Sequence, residues 1–349
     1  MTQPPASTFR AHPSWTRPAR RYLNTASFGL PPREAVDATV RWVREWQDGS
    51  VPLTDWLPAT DRARELLSQF AGVPVDSIAT GSSVAQLVGL VAASVPDGSV
   101  VLGVDGEFAS LLHPFRAQAD RGVRVETVPR DRLAEAAGER GDLIAFSLVS
   151  SAGGIRADDE AVLAAARARG ALTLVDAAQA IGWLSVDCTR YDIVVAPAFK
   201  WLCSPRGTAF MCVRAEHLDW LRPGLAGWWP SVAEVPYYGP LQLPATAKRL
   251  DATPVWSSWP GTAAALEVLT GIGVDGIAAH VVGLAQRLRD GLGLPDTGTA
   301  FVLVDDRGAP ARLAEAGIVA TLTPAGTRLT VHVYNDESDI DAALDVLRG

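Results

Sequence analysis

Between Ile78 and Val213 the chain repeats one pattern: an apolar run of about five residues, a polar or glycine break, then a stretch with helical spacing. The runs are "SIATGSS", "SVVLGVD" (99–105), "VRVETVP" (123–129), "DLIAFSLVS" (142–150), "LTLVDAAQ" (172–179), "YDIVVAPAF" and "TAFMCVR". Helical stretches such as "VAQLVGLVAASV", "ASLLHPFRAQADR" and "DDEAVLAAARARG" separate them. Short runs without internal alternation are buried on both faces, and intervening helices cover those faces. The pattern predicts an α/β fold around a mostly parallel, seven-stranded-type sheet.

Outside this region the rhythm changes. Residues 1–20 are rich in Pro, Arg and polar residues and read as a loose arm. Residues 21–265 read as a large domain, whose N-terminal segment joins the small one. Within it, helices are expected from Pro32 towards Trp46 and over 60–72. Residues 215–259 carry seven Trp and Tyr residues among Pro and Gly, from Trp220 to Trp259. They read as a long aromatic loop near a site or a subunit contact, which hints at a bulky substrate. Residues 266–349 read as a small C-terminal α+β domain.

The formal net charge of −8 disfavours nucleic acid or an anionic membrane as the main partner. Three cysteines, an odd and small number, predict no disulfide scaffold and a reducing compartment. No apolar leader segment opens the sequence, and no run reaches a membrane-spanning length. The expectation is a cytoplasmic protein.

In a doubly wound sheet, ligands sit beyond the carboxyl ends of the strands. Four features fall there. Gly81-Ser82-Ser83 joins a strand to a helix and offers hydroxyls and free N–H groups to an anion, or a plain helix cap. Asp176 ends a buried strand, where a carboxylate needs a partner: a protonated ring nitrogen, a metal or the next helix. No cluster with metal-ligand spacing supports the metal. Lys200 ends the run "DIVVAPAFK", either as a surface lysine or as a buried amine of depressed pKa. Arg328, in "TRLTVHVYN", suits a carboxylate or a surface ion pair.

Together and in this order these features resemble the class V aminotransferase group of fold-type I pyridoxal-phosphate enzymes. That group includes cysteine desulfurases, selenocysteine lyases, isopenicillin N epimerase-like and hercynylcysteine sulfoxide lyase-like proteins. The resemblance runs from "YLNTASFG" to "YNDESDID", with "VDAAQAIG" and "KWLCSPRG" as its most specific parts. It implies pyridoxal 5′-phosphate as cofactor, and Lys200 as the lysine that forms the internal aldimine and moves the Cα proton. It implies Asp176 on the pyridinium nitrogen, Gln179 facing the phenolic oxygen, and Ser82 and Ser83 as the phosphate turn. Phe108 takes the place of a stacking histidine. Ser150 and Ser151 match a Ser-Asn pair near the cofactor. Thr253 matches a residue reaching a partner subunit's phosphate, which implies a homodimer. Arg328 matches the grip on the substrate α-carboxylate, and Asn24 a residue lining the site. Phe199 replaces a polar phosphate ligand, which leaves Ser204 or Thr208 as candidates to compensate.

Desulfurases carry a mobile acceptor cysteine well after the lysine. Here no cysteine follows Cys212, and Cys203 reads as a packing residue. The leading expectation is therefore β-elimination, C–S lyase-like, on a cysteine-derived amino acid. Transamination or epimerisation shares its first steps. A non-catalytic protein with weakened cofactor binding is the other alternative.

Overall fold

A computed structural model describes residues 10–50, 53–234 and 236–349. The expected arm is only partly within that range, since residues 1–9 lie outside it. Residues 10–20 correct the expectation of looseness. Trp15 is buried, and its indole N–H donates to the Leu30 carbonyl at 2.7 Å. An indole that buries its ring and satisfies its N–H fixes a segment that Pro and Arg content alone suggests is free.

The main sheet has seven strands. Side by side they run Ile78–Gly81, Ala209–Val213, Ile193–Pro197, Leu172–Asp176, Leu143–Ser147, Val100–Val104 and Arg124–Val128. Only Ala209–Val213 is antiparallel to its neighbours. The central strands Leu143–Ser147 and Ile193–Pro197 are buried throughout, as their Val, Ile, Leu and Ala content demands. The mostly parallel seven-stranded expectation holds. Short helices at Leu133–Glu139 and Ala309–Glu315 add to those legible in the sequence.

The N-terminal helices Arg33–Gln47 and Leu53–Ala71 both pack on Trp259–Ile272. A second sheet sets Gly326–Thr330 between Thr321–Thr323 and Phe301–Val304, antiparallel to each. Arg21–Tyr22 pairs in parallel with Ile318–Val319, and Asn24 bridges to Thr330. The start of the chain is thereby tied to its end. That tie carries residues 26–29 across to the carboxyl edge of the main sheet.

Residues 215–259 form no α-helix or strand before Trp259 among the described residues. Trp228, Trp229, Tyr237 and Trp256 stack on one another with ring centroids 4.8–6.1 Å apart.

Candidate active site

The strand order puts Leu172–Asp176 beside Ile193–Pro197, with Asp176 opposite Val195. Asp176 and Lys200 therefore emerge at the same edge. Beyond them opens a cavity of about 480 Å³. Its walls include Ser83, Phe108, Ser151, Asp176, Gln179 and Lys200, with Arg328 closing the far side.

Lys200 is buried, and its amine makes no hydrogen bond among the described residues. Burial pulls its pKa below that of an ordinary lysine; Asp176 opposes the shift, while Arg328 and Arg206 add to it. The turn carrying it is held tightly. Cys203 N–H closes on the Lys200 carbonyl at 3.1 Å, and Cys203 takes the left-handed region at φ 51°. Gly29 donates to the Phe199 carbonyl at 3.0 Å, and a Cβ on it would lie 1.9 Å from the Lys200 carbonyl oxygen. Only glycine fits there.

Asp176 is fully enclosed. Its Oδ1 accepts the Ala178 N–H at 2.8 Å. Burial pushes its carboxyl up to about 6, against the pull of Lys200 and of the Ala178 bond. Gln179 faces the cavity with its amide fixed: Nε2 donates to the Ala26 carbonyl at 2.9 Å and Oε1 accepts the Trp201 indole at 2.7 Å. Phe108 is half-exposed on the rim, its ring centroid 5.2 Å from Lys200 Nζ.

Ser83 caps the helix Val84–Ser94 by accepting the Gln86 N–H at 3.2 Å, and both Ser83 and Val84 line the cavity. Ser82 does not. Its N–H and hydroxyl both turn to Gln86 Oε1, at 2.8 and 3.0 Å. The anion-binding face of the turn thus falls to Ser83 and the first helical N–H groups.

Arg328 is buried without a carboxylate partner among the described residues. Nη1 donates to the Ser151 carbonyl, Nη2 to Ser27 Oγ at 2.8 Å, and Nε has no partner. Burial lowers its pKa to about 10, which leaves it a cation at neutral pH.

Other expected positions differ. Asn24 is not on the cavity wall, because its Oδ1 accepts the Ser27 and Thr321 hydroxyls, both at 2.8 Å. Ser27, three residues on, takes the wall and meets Arg328. Ser150 stays in its own turn, with Oγ accepting the Ile155 N–H at 3.1 Å. Thr253 is exposed and off the wall. Ser204 and Thr208 do not replace the polar group absent at Phe199. Their hydroxyls donate to the Leu202 and Pro205 carbonyls within their own turn. Instead Arg206 reaches the cavity beside Phe199, which sequence reasoning did not single out. Among the described residues of 215–259 none lines this cavity, so the aromatic belt packs away from it.

The residues present fit the cofactor that the resemblance implies. An amine without a hydrogen bond, a buried carboxyl facing it, a serine-capped helix start and a phenyl rim suit a planar, phosphorylated, aldehyde-bearing ring. Arg328 lines the cavity with no carboxylate partner among the described residues, which suits a ligand carboxylate.

Known proteins resemble the chain in the same way. The family model described as aminotransferase class-V matches residues 55–307. A kynureninase of Deinococcus radiodurans is 29% identical over 224 residues, which cover 59% of this chain and 55% of that protein. An isopenicillin N epimerase of Amycolatopsis lactamdurans is 30% identical over 236 residues, covering 60% and 58%. The alignments thus span little more than half the length of these relatives. Among solved structures, the cystine C–S lyase C-DES in complex with cysteine persulfide superposes with a TM-score of 0.86. It is 21% identical and covers 94% of this chain and 97% of that one. That likeness is one of fold.

Proposed function

This chain belongs to the class-V aminotransferase family, and we propose that it catalyses β-elimination, C–S lyase-like, on a cysteine-derived α-amino acid. It is a pyridoxal-5′-phosphate-dependent enzyme of that family. The observation that carries the reading is the cavity pairing of Lys200, a buried amine whose pKa burial lowers, with Arg328, a buried guanidinium without a carboxylate partner among the described residues. The cysteines narrow it: Cys188, Cys203 and Cys212 are all buried, so none is placed to receive sulfur from a substrate.

Each residue has a role in this reading. Arg328, oriented by Ser27 and Ser151, takes the substrate α-carboxylate bidentately. Lys200 Nζ removes the Cα proton and then delivers a proton to the departing sulfur. Asp176 keeps a proton on the ring nitrogen through a charge-assisted bond, and Gln179 faces the ring hydroxyl. Phe108 covers one ring face but cannot move a proton. Ser83 and the N-terminus of Val84–Ser94 hold the phosphate. When bound, the cofactor supplies an aldehyde for the substrate amine and a ring that withdraws electrons from Cα. The balance is a thioether amino acid plus water giving thiol, pyruvate and ammonia. We place the enzyme in the cytoplasm as a homodimer in which exposed Thr253 reaches the neighbour's cofactor. No single helix among the described residues is long and apolar enough to cross a membrane.

The test is direct. Purified protein should be yellow, and borohydride should fix the label on Lys200. Cysteine S-conjugates should then release thiol, pyruvate and ammonia in equal amounts. Keto acid formed only with an amino acceptor present would replace elimination by transamination, and loss of optical rotation without products would replace it by epimerisation.

A further inference from the structure

Arg206 is the one cavity-wall residue the roles above leave unused among those bearing charge. Its backbone is fixed. Pro205 precedes it, Gly207 follows at φ 92°, and Ser258 Oγ donates to its carbonyl at 2.8 Å. Its guanidinium lies 4.7 Å from the Phe199 ring centroid and 5.1 Å from that of Phe28. Those two rings stack on each other at 5.9 Å. No carboxylate pairs with it among the described residues. The two rings flank the guanidinium, which is exposed and makes no side-chain hydrogen bond among the described residues.

Pro197 and Phe199 line the cavity without a side-chain donor, and Ser204 and Thr208 are turned away; the neutral donors of the wall are Ser27, Ser83, Ser110, Ser151 and Gln179. Against three cations on the wall, Lys200, Arg206 and Arg328, stands one carboxylate, Asp176, which is already engaged by Ala178. Such a lining attracts an anion, and a free guanidinium fork matches paired oxygens.

We propose that Arg206 is a second anion receptor of this cavity, independent of Arg328, that binds the paired oxygens of a phosphate or carboxylate. Two sources carry that chemistry: the phosphate of the cofactor, in place of the polar ligand absent at Phe199, or a distal acid group on the substrate. The proposal rests on the pyridoxal-phosphate reading given above.

The experiment compares wild type with Arg206→Met. Cofactor-free protein is titrated with pyridoxal phosphate and with pyridoxal, which lacks the phosphate, following the absorbance of the bound chromophore. If the phosphate is the guest, the variant loses at least tenfold in affinity for pyridoxal phosphate and keeps its affinity for pyridoxal within twofold. If a distal acid is the guest, the ratio of KM for S-carboxymethylcysteine to KM for S-methylcysteine rises at least tenfold. Arg206→Lys should recover part of either loss, since it keeps the charge but not the fork. Calorimetric titration of cofactor-free protein with inorganic phosphate reads the receptor without the cofactor, and affinity should fall at least tenfold in the variant, the Ser83 turn retaining the rest. A variant matching wild type within twofold in every arm overturns the proposal. A wild-type chain that takes up no pyridoxal phosphate overturns the enzyme reading instead, and the phosphate titration still decides on Arg206.

Discussion

Two buried arginines in this molecule have opposite surroundings. Arg64 meets Asp251 through two bonds, Nη2–Oδ2 at 2.6 Å and Nη1–Oδ1 at 3.3 Å. Asp251 also accepts the Thr80 N–H at 2.7 Å and the Trp229 indole at 3.0 Å. There the charge is paired with a carboxylate, although Arg64 Nε makes no hydrogen bond, and the cluster anchors the aromatic segment to the first strand of the main sheet. Arg328 is equally buried yet meets only a serine hydroxyl and a carbonyl. A charge kept from water without a counter-ion costs stability. On the function proposed above, the contrast separates a charge used to hold the fold from one kept for a ligand. Lys200 and Asp176 belong with the second kind.

The contrast can be broken by substitution. The largest expected effect is on Lys200. Lys200→Ala should lower turnover by roughly 10²–10⁴-fold, the range for losing a positioned acid–base group. The fold should survive and the cofactor should still be taken up through Asp176 and the Ser83 turn; near-wild-type turnover would remove Lys200 from the chemistry. Next comes the buried ion pair. Asp251→Ala leaves Arg64 buried and alone, and should cost about 3–5 kcal/mol in urea unfolding. Arg328→Ala should do the reverse. Stability should barely move, while amino acid binding weakens by roughly 2–5 kcal/mol, read as a fall in kcat/KM. If both arginine sites affected stability alike, the distinction would fail.

The smallest effect is a pH dependence. The Asp176 carboxyl titrates at about 6 in the fold, above its ordinary value of 3.8. The folded chain therefore holds a proton that the unfolded chain has lost, so stability present at pH 4 drains as pH rises through 6. The difference is on the order of 2–3 kcal/mol. Cofactor-free Asp176→Asn should lose this slope between pH 4 and 6, measured by urea midpoints. An unchanged slope would mean that another group carries it.

What was legible in the sequence follows from what is local. Continuous apolar runs mark strands buried on both faces, so all seven large-sheet strands could be read. Asp176 and Lys200 were legible because a charge ending such a run has few reasons to be there. The exchange of Asn24 for Ser27 was not. Both are polar residues in one turn, and the choice of which faces inward is made by Thr321 and Arg328, about 300 residues away. Arg206 was hidden for the same reason, since its perch needs Phe28 from the other end of the chain. Ser82 looked equivalent to Ser83 until Gln86 claimed it. Trp15 lay in a stretch whose composition suggested no fixed place, and its anchor, the Leu30 carbonyl, leaves no mark in sequence.

The bond between Ser27 and Arg328 has a consequence in time. The two residues that meet on this side of the cavity lie 301 positions apart in the chain. A ribosome will have made every strand of the main sheet before Arg328 is even synthesised. The lysine, the aspartate and the helix cap can then already stand in place around a half-open cavity. Pairing over so long a separation is among the slowest events of folding. The closing wall of the pocket is thus completed only after the rest of its lining has been made.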